Sequence, residues 1–293
     1  DINKKKYKIN IFHQHTFVLT ALLYHFISAI KRDRRNQKDG LKPLKLDYIE
    51  KEKNSDTLFI LGSGSSINQI SEKQWNQIEQ HDSIGYNFWL VHDFIPDYYK
   101  FELDLSKKNE RTSFFYQIFD EKWDDYKNKT IIYNHFNFKK EVPKQILCKM
   151  VDNQIYYPKY IYLPGKDEES FHLGMKYFNK LWLRESYLFS KRGSITMLIS
   201  FALYSGYKKI ILCGIDLNNT DYFYDDDYYL NKYPKLNSGQ KGKVHMSFDE
   251  TLNPLTIDKI ILSINNMMIQ NDGKHLFVLN KSSGLYPLLQ VFN

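Results

Sequence analysis

Thr57-Leu58-Phe59-Ile60-Leu61 runs straight into Gly62-Ser63-Gly64-Ser65-Ser66, and the stretch from Ile67 to Ile78 then carries apolar residues at helical spacing. A short apolar run closed by glycine and serine reads as a buried strand, because it is bounded by turn residues and is too short for a helix. Strand, tight turn and helix form the opening of a βαβ unit. Working outward, Ser83-Ile84-Gly85-Tyr86-Asn87 and Thr130-Ile131-Ile132-Tyr133 read as further strands, each separated by enough chain for a crossover. Lys209-Ile210-Ile211-Leu212-Cys213-Gly214 is the clearest buried strand; an apolar helix from Ile195 to Tyr204 precedes it and stops at Gly206. His275 to Leu279 is the last strand. Strands alternating with helices predict an α/β fold with a Rossmann-like, doubly wound, mostly parallel sheet.

The 293 residues, 42% hydrophobic and 26% charged, suffice for one large domain, or one domain with an appendage. An aromatic content of 16% is far above that of a solvated tail and points to clefts lined with rings and hydroxyls. Cys148 and Cys213 both sit among apolar residues, which supports neither a disulfide framework nor a cysteine zinc site and makes a reducing compartment the default. Charge divides the chain. Residues 1–53 hold 13 Lys and Arg against 6 Asp and Glu, an excess equal to the +7 of the whole chain, so the body from Asn54 onward is formally neutral. A nucleic-acid binder would carry its basic excess on the folded domain.

Within 1–53, Lys4-Lys5-Lys6 precedes an apolar stretch from Phe17 to Ile30, broken by Thr20, Tyr24, His25 and Ser28, and Lys31-Arg32-Asp33-Arg34-Arg35 follows. The stretch is too short and too polar to span a bilayer. Its basic flanks suit an interfacial helix that meets an anionic membrane surface through residues 1–35, and packing on the body or on another subunit is the other reading. No small-residue cleavage site follows, so a secretory signal is not expected. Gly40 to Asn54 lacks periodicity and reads as a linker, which makes 1–53 a basic amphipathic appendage and linker and 54–293 the main domain.

The glycine-rich turn lets backbone N–H groups approach a phosphate or ribose, although Gly62-Ser63-Gly64 lacks the third glycine of the dinucleotide fingerprint and the lysine of a P-loop. Simple strand-to-helix packing is its alternative. The second strand ends in Asn87, whose amide is suited to reading a sugar or a base, with structural capping as the alternative. Arg192-Gly193-Ser194 opens the apolar helix that leads into Gly206-Tyr207-Lys208, and Gly214-Ile215-Asp216 closes the next strand. In this order the Gly-x-Gly-x-Ser turn, the Asn after the second strand, the Ser-initiated helix, Gly-Tyr-Lys, Gly-Ile-Asp and the downstream His245 resemble bacterial sialyltransferases of glycosyltransferase family 42. Phe171-His172-Leu173-Gly174 falls where those enzymes have a similar segment, and the likeness runs from Thr57 to Leu285, with its most specific part from Arg192 to Asp216.

The resemblance implies a single-domain, GT-A-like variant of the Rossmann-like sheet that inverts configuration and needs no metal or other cofactor. It implies transfer of sialic acid, or a related nonulosonate or Kdo-type sugar, from a CMP-sugar donor to a glycan hydroxyl of a surface glycolipid or polysaccharide, as in lipooligosaccharide or capsule biosynthesis. The enzyme would be peripheral at the cytoplasmic face of the bacterial inner membrane, and a homo-oligomer. The transition state of such a donor is oxocarbenium-like, so tyrosine hydroxyls suit the departing phosphate and a histidine suits the incoming hydroxyl. By the resemblance His245 is the base and Tyr224 a phosphate-binding tyrosine. Asn218 stands where the family has its second tyrosine, a role open to Tyr222 or Tyr228.

The donor-binding set so implied is Gly62, Ser63, Gly64, Ser66, Asn87, Glu102, Arg192, Ser194, Gly214, Asp216 and Asn218. Ser63 replaces an Asn of the family's first turn, and Glu102 falls where an amide often contacts the donor. Ser194 is equally a plain N-cap. Residues 217–244, with Gly239 and Gly242 and little apolar pattern, read as a lid that orders over the donor. Asp225-Asp226-Asp227 is either the acidic motif of a metal-dependent UDP-sugar transferase or a solvated turn. Neither His13, His15 and His25 nor the pair His81 and His92 has zinc-ligand spacing. A nucleotide-binding module without catalysis is the non-enzymatic alternative.

Overall fold

Five buried residues in a row require cover on both faces of a strand, and Thr57–Leu61 has it: Leu58 and Ile60 enter one apolar core, Phe59 and Leu61 the other. The computed structural model describes residues 2–103, 110–135, 144–150, 154–181, 183–218, 221–236, 250–251 and 254–292. The chain opens with helix α1 (Ile2–Lys38), strand β1 (Lys42–Pro43), helix α2 (Leu46–Glu52) and strand β2 (Thr57–Leu61). A 3-10 turn at Ser65–Gln69 leads to α3 (Glu72–Glu79), β3 (Asp82–Tyr86), β4 (Tyr98–Leu103), α4 (Glu110–Glu121), α5 (Trp123–Tyr126), β5 (Thr130–His135), α6 (Lys144–Met150), β6 (Ile155–Tyr157) and β7 (Tyr160–Tyr162). There follow α7 (Glu168–Lys180), β8 (Leu188–Ser190), α8 (Ser194–Tyr204), β9 (Lys209–Cys213), α9 (Asp227–Lys232), α10 (Ile257–Asp272), β10 (His275–Val278) and β11 (Gln290–Val291).

Nine of the strands form one sheet in the order β1-β6-β5-β4-β3-β2-β9-β10-β11, with every pairing parallel. The fold is therefore α/β, Rossmann-like and doubly wound, as the alternating pattern predicts. The chain winds outward from β2 to β6, then returns to lay β9 on the other side of β2, so the winding direction reverses between β2 and β9. In open α/β sheets the crevice at the carboxyl ends of such a strand pair is where ligands bind. One face of the sheet carries α1, α7, α8 and α10 over Leu58, Ile60, Ile84, Ile132, Ile210 and Leu212. The other carries α3, α4, α5 and α9 over Phe59, Phe101, Ile131, Tyr133 and Ile211. Helix α8 is apolar all round and buried from Ile195 to Leu203, as a helix wedged against a sheet must be.

Two expectations are corrected, the linker over 40–54 and the unbroken helix from Ile67 to Ile78, while α1 takes the packing on the body that is one of its two readings. The supposed linker 40–54 contains β1, whose Lys42 and Pro43 pair with Tyr156 and Tyr157, and α2, whose Ile49 is buried. Two residues and seven are too few for a periodicity to register. Helix α1 lies on α7 and β7, burying Val18, Leu22 and Ala29, with the Arg32 guanidinium 4.1 Å above the Tyr160 ring. The single helix expected from Ile67 to Ile78 is broken at Ser71, which forms a reciprocal capping box with Gln74 and starts α3 afresh. No helix among the described residues is long and apolar enough to cross a membrane.

Candidate functional site

At the switch point, the turn after β2 and the turn after β9 are packed directly together. A Cβ on Gly62 would lie 2.6 Å from the Gly214 carbonyl oxygen, one on Gly64 2.5 Å from Asp216 Oδ2, and one on Gly214 2.6 Å from the Ile67 side chain. Gly214 also has φ +63°, a left-handed value that favours glycine. The N–H groups of Gly62 and Gly64 donate to Cys213 and Gly214 carbonyls at 2.8 Å, and that of Ser65 to the Asp221 carbonyl at 3.0 Å. The Ser66 N–H and hydroxyl both reach the Asp216 carboxylate, each at 2.7 Å. Asp216 thus supplies the anion that the turn's donors would otherwise seek, and a 3-10 turn replaces the expected helix N-terminus. The N–H groups of Gly62, Gly64, Ser65 and Ser66 thus serve to lock the two loops to each other.

One strand further out, β3 ends in Asn87 at φ 54°, one of two non-glycine residues with positive φ among the described residues. The Tyr99 hydroxyl donates to the Asn87 carbonyl and fixes that peptide. The Asn87 side-chain oxygen is buried and has no hydrogen-bond partner. Buried polar atoms are nearly always satisfied, so this oxygen, on a left-handed backbone beside the crevice, is able to accept a further hydrogen bond.

Strand β4 alternates Tyr98, Lys100 and Glu102 on the α8 side with Tyr99 and Phe101 on the other, and Lys100 is fully buried. Its ammonium donates to Glu102 Oε2 at 2.6 Å and to Ser194 Oγ at 2.9 Å. The Ser194 hydroxyl donates to Glu102 Oε1, and Asn134, beside Glu102 on β5, donates to Glu102 Oε2 at 3.3 Å. Burial alone would raise the Glu102 carboxyl, but the Lys100 charge and these hydrogen bonds hold it below its ordinary value; burial pulls the Lys100 ammonium down. Ser194 is the first residue of α8, whose N-cap is Gly193; its hydroxyl serves Glu102 and makes no cap hydrogen bond. Lys191 donates to the Leu163 and Gly165 carbonyls at 3.1 and 2.7 Å and is drawn down to about 8 by burial and by Arg192. Lys191 and Arg192 immediately precede the eleven-residue α8, so basic side chains stand at the positive end of its dipole.

Tyr86 joins the two halves. It stands opposite Lys100 in the ladder, and burial pushes its hydroxyl up, helped by the charges of Glu102, Tyr222 and Asp216. Tyr222 and Tyr224 stack with centroids 5.0 Å apart, Tyr222 pairs with Gly64 in an isolated antiparallel bridge, and Phe223 donates its N–H to the Ser63 carbonyl at 2.9 Å. The lid expected over 217–244 is therefore no open loop in its described part: Phe223, Tyr224, Tyr229, Tyr233 and Leu236 are buried in the second core.

His245 lies outside the described residues. Asn218 is exposed and gives its amide to the Ser282 carbonyl at 3.2 Å, facing the loop after β10. Arg192, also at positive φ, donates to the Leu255 carbonyl at 2.7 Å and so ties the start of α8 to that of α10. Of the acidic run, Asp225 accepts from the Tyr222 N–H and Asp226 from the Tyr228 N–H, each at 3.0 Å, so both act as caps. Lys100, Asn134, Tyr86 and Lys191 were not singled out from sequence. A lysine at the centre of Tyr98-Tyr99-Lys100-Phe101-Glu102 was the available signal, since a charge inside an otherwise aromatic strand needs a buried partner.

No protein-family model matches this chain, and no curated protein matches it. Among solved structures it is similar to the monofunctional alpha-2,3-sialyltransferase Cst-I from Campylobacter jejuni, at 17% sequence identity and a TM-score of 0.44, over 82% of this chain and 81% of that one.

Proposed function

We propose that the chain is an inverting glycosyltransferase that takes sialic acid or a related acidic sugar from a CMP-sugar donor and places it on a glycan hydroxyl. The observation that carries the reading is Asn87: a buried amide oxygen without a partner, on a strained backbone one strand from the switch point, suits an N–H or O–H donor of a nucleotide. The cationic start of α8 suits the carboxylate of the sugar, and the stacked Tyr222 and Tyr224 beside the turn suit a phosphate. The order of motifs from Gly62 to His245 supports the same reading.

In this scheme the bond between the anomeric carbon and the CMP oxygen breaks with its electron pair leaving on the phosphate. The acceptor oxygen bonds to that carbon from the opposite face, and its proton passes to His245, a role that rests on the resemblance in sequence. Glu102, pinned by Lys100, Asn134 and Ser194, would accept a sugar hydroxyl of the donor. Its carboxylate in place of an amide is the feature that would shift donor choice away from ordinary sialic acid.

The test is a thermal-shift titration with CMP, CDP, UDP and NAD in EDTA and then with Mg, since a ligand of the native state raises its melting temperature. Stabilisation by CMP and CDP without metal, reduced in Asn87→Ala, is the expected result. Stabilisation only by UDP with metal, or only by NAD, would remove the reading.

A further inference from the structure

Helix α1 carries two apolar faces, of which the body covers one. Val18, Leu22 and Ala29 are buried against α7 and β7, whereas Phe12, Leu19, Leu23 and Ile27 recur on another face and stay exposed, Phe12 to 70% and Leu23 to 58%. Spacings of seven, four and four residues put these four on one stripe, which runs for about 22 Å at 1.5 Å per residue. Tyr24 and Phe17 flank it and are exposed as well.

The charges of the same helix choose the occupant. Lys31, Arg34 and Lys38 are exposed at its C-terminal end, and Lys4, Lys5, Lys6 and Lys8 belong to its opening turns. Its one acidic residue, Asp33, faces the body, accepting from the Tyr157 hydroxyl and pairing with Lys159 at 3.0 Å. A second copy packed antiparallel on the stripe would set lysines against arginines, and a parallel copy would set like ends together; both repel. Apolar side chains framed by basic residues at both ends of the helix fit an anionic lipid surface instead.

We propose that the outer stripe of α1 lies in the interface of an anionic membrane, parallel to the plane, with the body held against it. The inner side of the helix meets β7, where His25 and Tyr162 have ring centroids 6.1 Å apart, and Tyr162 feels the charges of Glu102 and Arg192. A helix is about 10 Å thick, so the docked chain keeps the candidate site near the lipid, within reach of a lipid-borne acceptor. Only this last step rests on the glycosyltransferase reading.

The experiment is co-sedimentation of the full chain with vesicles of phosphatidylcholine alone and of phosphatidylcholine with 30% phosphatidylglycerol, at low and high salt. Binding is expected to the anionic vesicles only and to weaken with salt. Leu23→Ser with Ile27→Ser should abolish it with an unchanged melting temperature, and each of Lys31→Gln, Arg34→Gln and Lys38→Gln should weaken it about fivefold. Equal binding to neutral vesicles, no binding to either, or a dimer that the double serine variant disrupts in place of vesicle binding would each overturn the proposal. Because nucleotide-induced stabilisation is read separately, failure of lipid binding leaves the catalytic reading standing, and the reverse.

Discussion

Glu102 and Lys100 form an ion pair whose members differ in their dependence on each other. Lys100 has no access to water, so removing its counter-charge strands a buried ammonium, and breaking such a pair from one side costs about 3–5 kcal/mol. Glu102→Gln should therefore lower the urea midpoint sharply, while Glu102→Gln with Lys100→Met should recover most of the loss; additive losses would mean that the pair is not coupled. Asp216 predicts a pH effect of the opposite sign to Glu102. Burial pushes its carboxyl above 3.8, with the two Ser66 hydrogen bonds pulling it back. A raised acid holds its proton more tightly when folded, so it costs stability at neutral pH, and that cost fades as pH falls through the folded value towards 3.8. Glu102, whose pKa is depressed, contributes stability above 4.5 that is lost as pH falls through its folded value. Stability of the native chain relative to Asp216→Asn should accordingly rise on acidification from about pH 7 to about pH 4, measured by urea melts at each pH. A difference that stays flat across that range would show that Asp216 ionises without penalty.

At the scale of elements, the turns after β2 and β9 act as one unit, and Gly214 is its tightest point. Gly214→Ala meets both a left-handed φ and an Ile67 contact at 2.6 Å, so it should destabilise by at least about 1–3 kcal/mol and lower the melting temperature without changing the far-UV spectrum. A neutral outcome would mean that the two loops part easily. This turn also shows where sequence reading reaches its limit. Strands β2, β5, β9 and β10 and helix α8 were legible because each carries an apolar run closed within two residues by glycine or asparagine, and β3, less apolar, was marked by the Asn87 that ends it. The glycines were legible as a tight place, but not as a contact between two loops 150 residues apart, where Asp216 fills the position of an anion. The polar cluster was hidden for the same reason: Tyr86 meets Lys100, and Glu102 meets Asn134, only through the parallel register of β3, β4 and β5. Ser194, Glu102 and Asn87 could be marked singly, whereas their grouping is a property of the sheet.

For the whole molecule, the open issue in the sequence was whether residues 1–53 hang from the body or complete it, and α1 answers through its inner face. Leu22 is 2% exposed within the core formed by Phe178, Leu188 and the α8 helix, and His15 Nδ1 lies 2.6 Å from the Tyr177 hydroxyl on α7. Arg32 stacks on Tyr160 and donates to its carbonyl, and Tyr160 in turn bonds to Asn134, the partner of Glu102. A helix joined to the core in this way should unfold with it. Leu22→Ala should therefore destabilise the entire chain by about 2–5 kcal/mol, whereas Leu23→Ala, one residue further on the outer stripe, should leave stability nearly unchanged. In native-state hydrogen exchange the amides from Val18 to Asn36 should be protected to the same free energy as those of β5, because opening α1 exposes the same apolar layer that opening the sheet does. Exchange of α1 at low free energy, with β5 still protected, would instead make the helix a separable appendage and would weaken the physical link by which a membrane-bound α1 holds the candidate site at the surface.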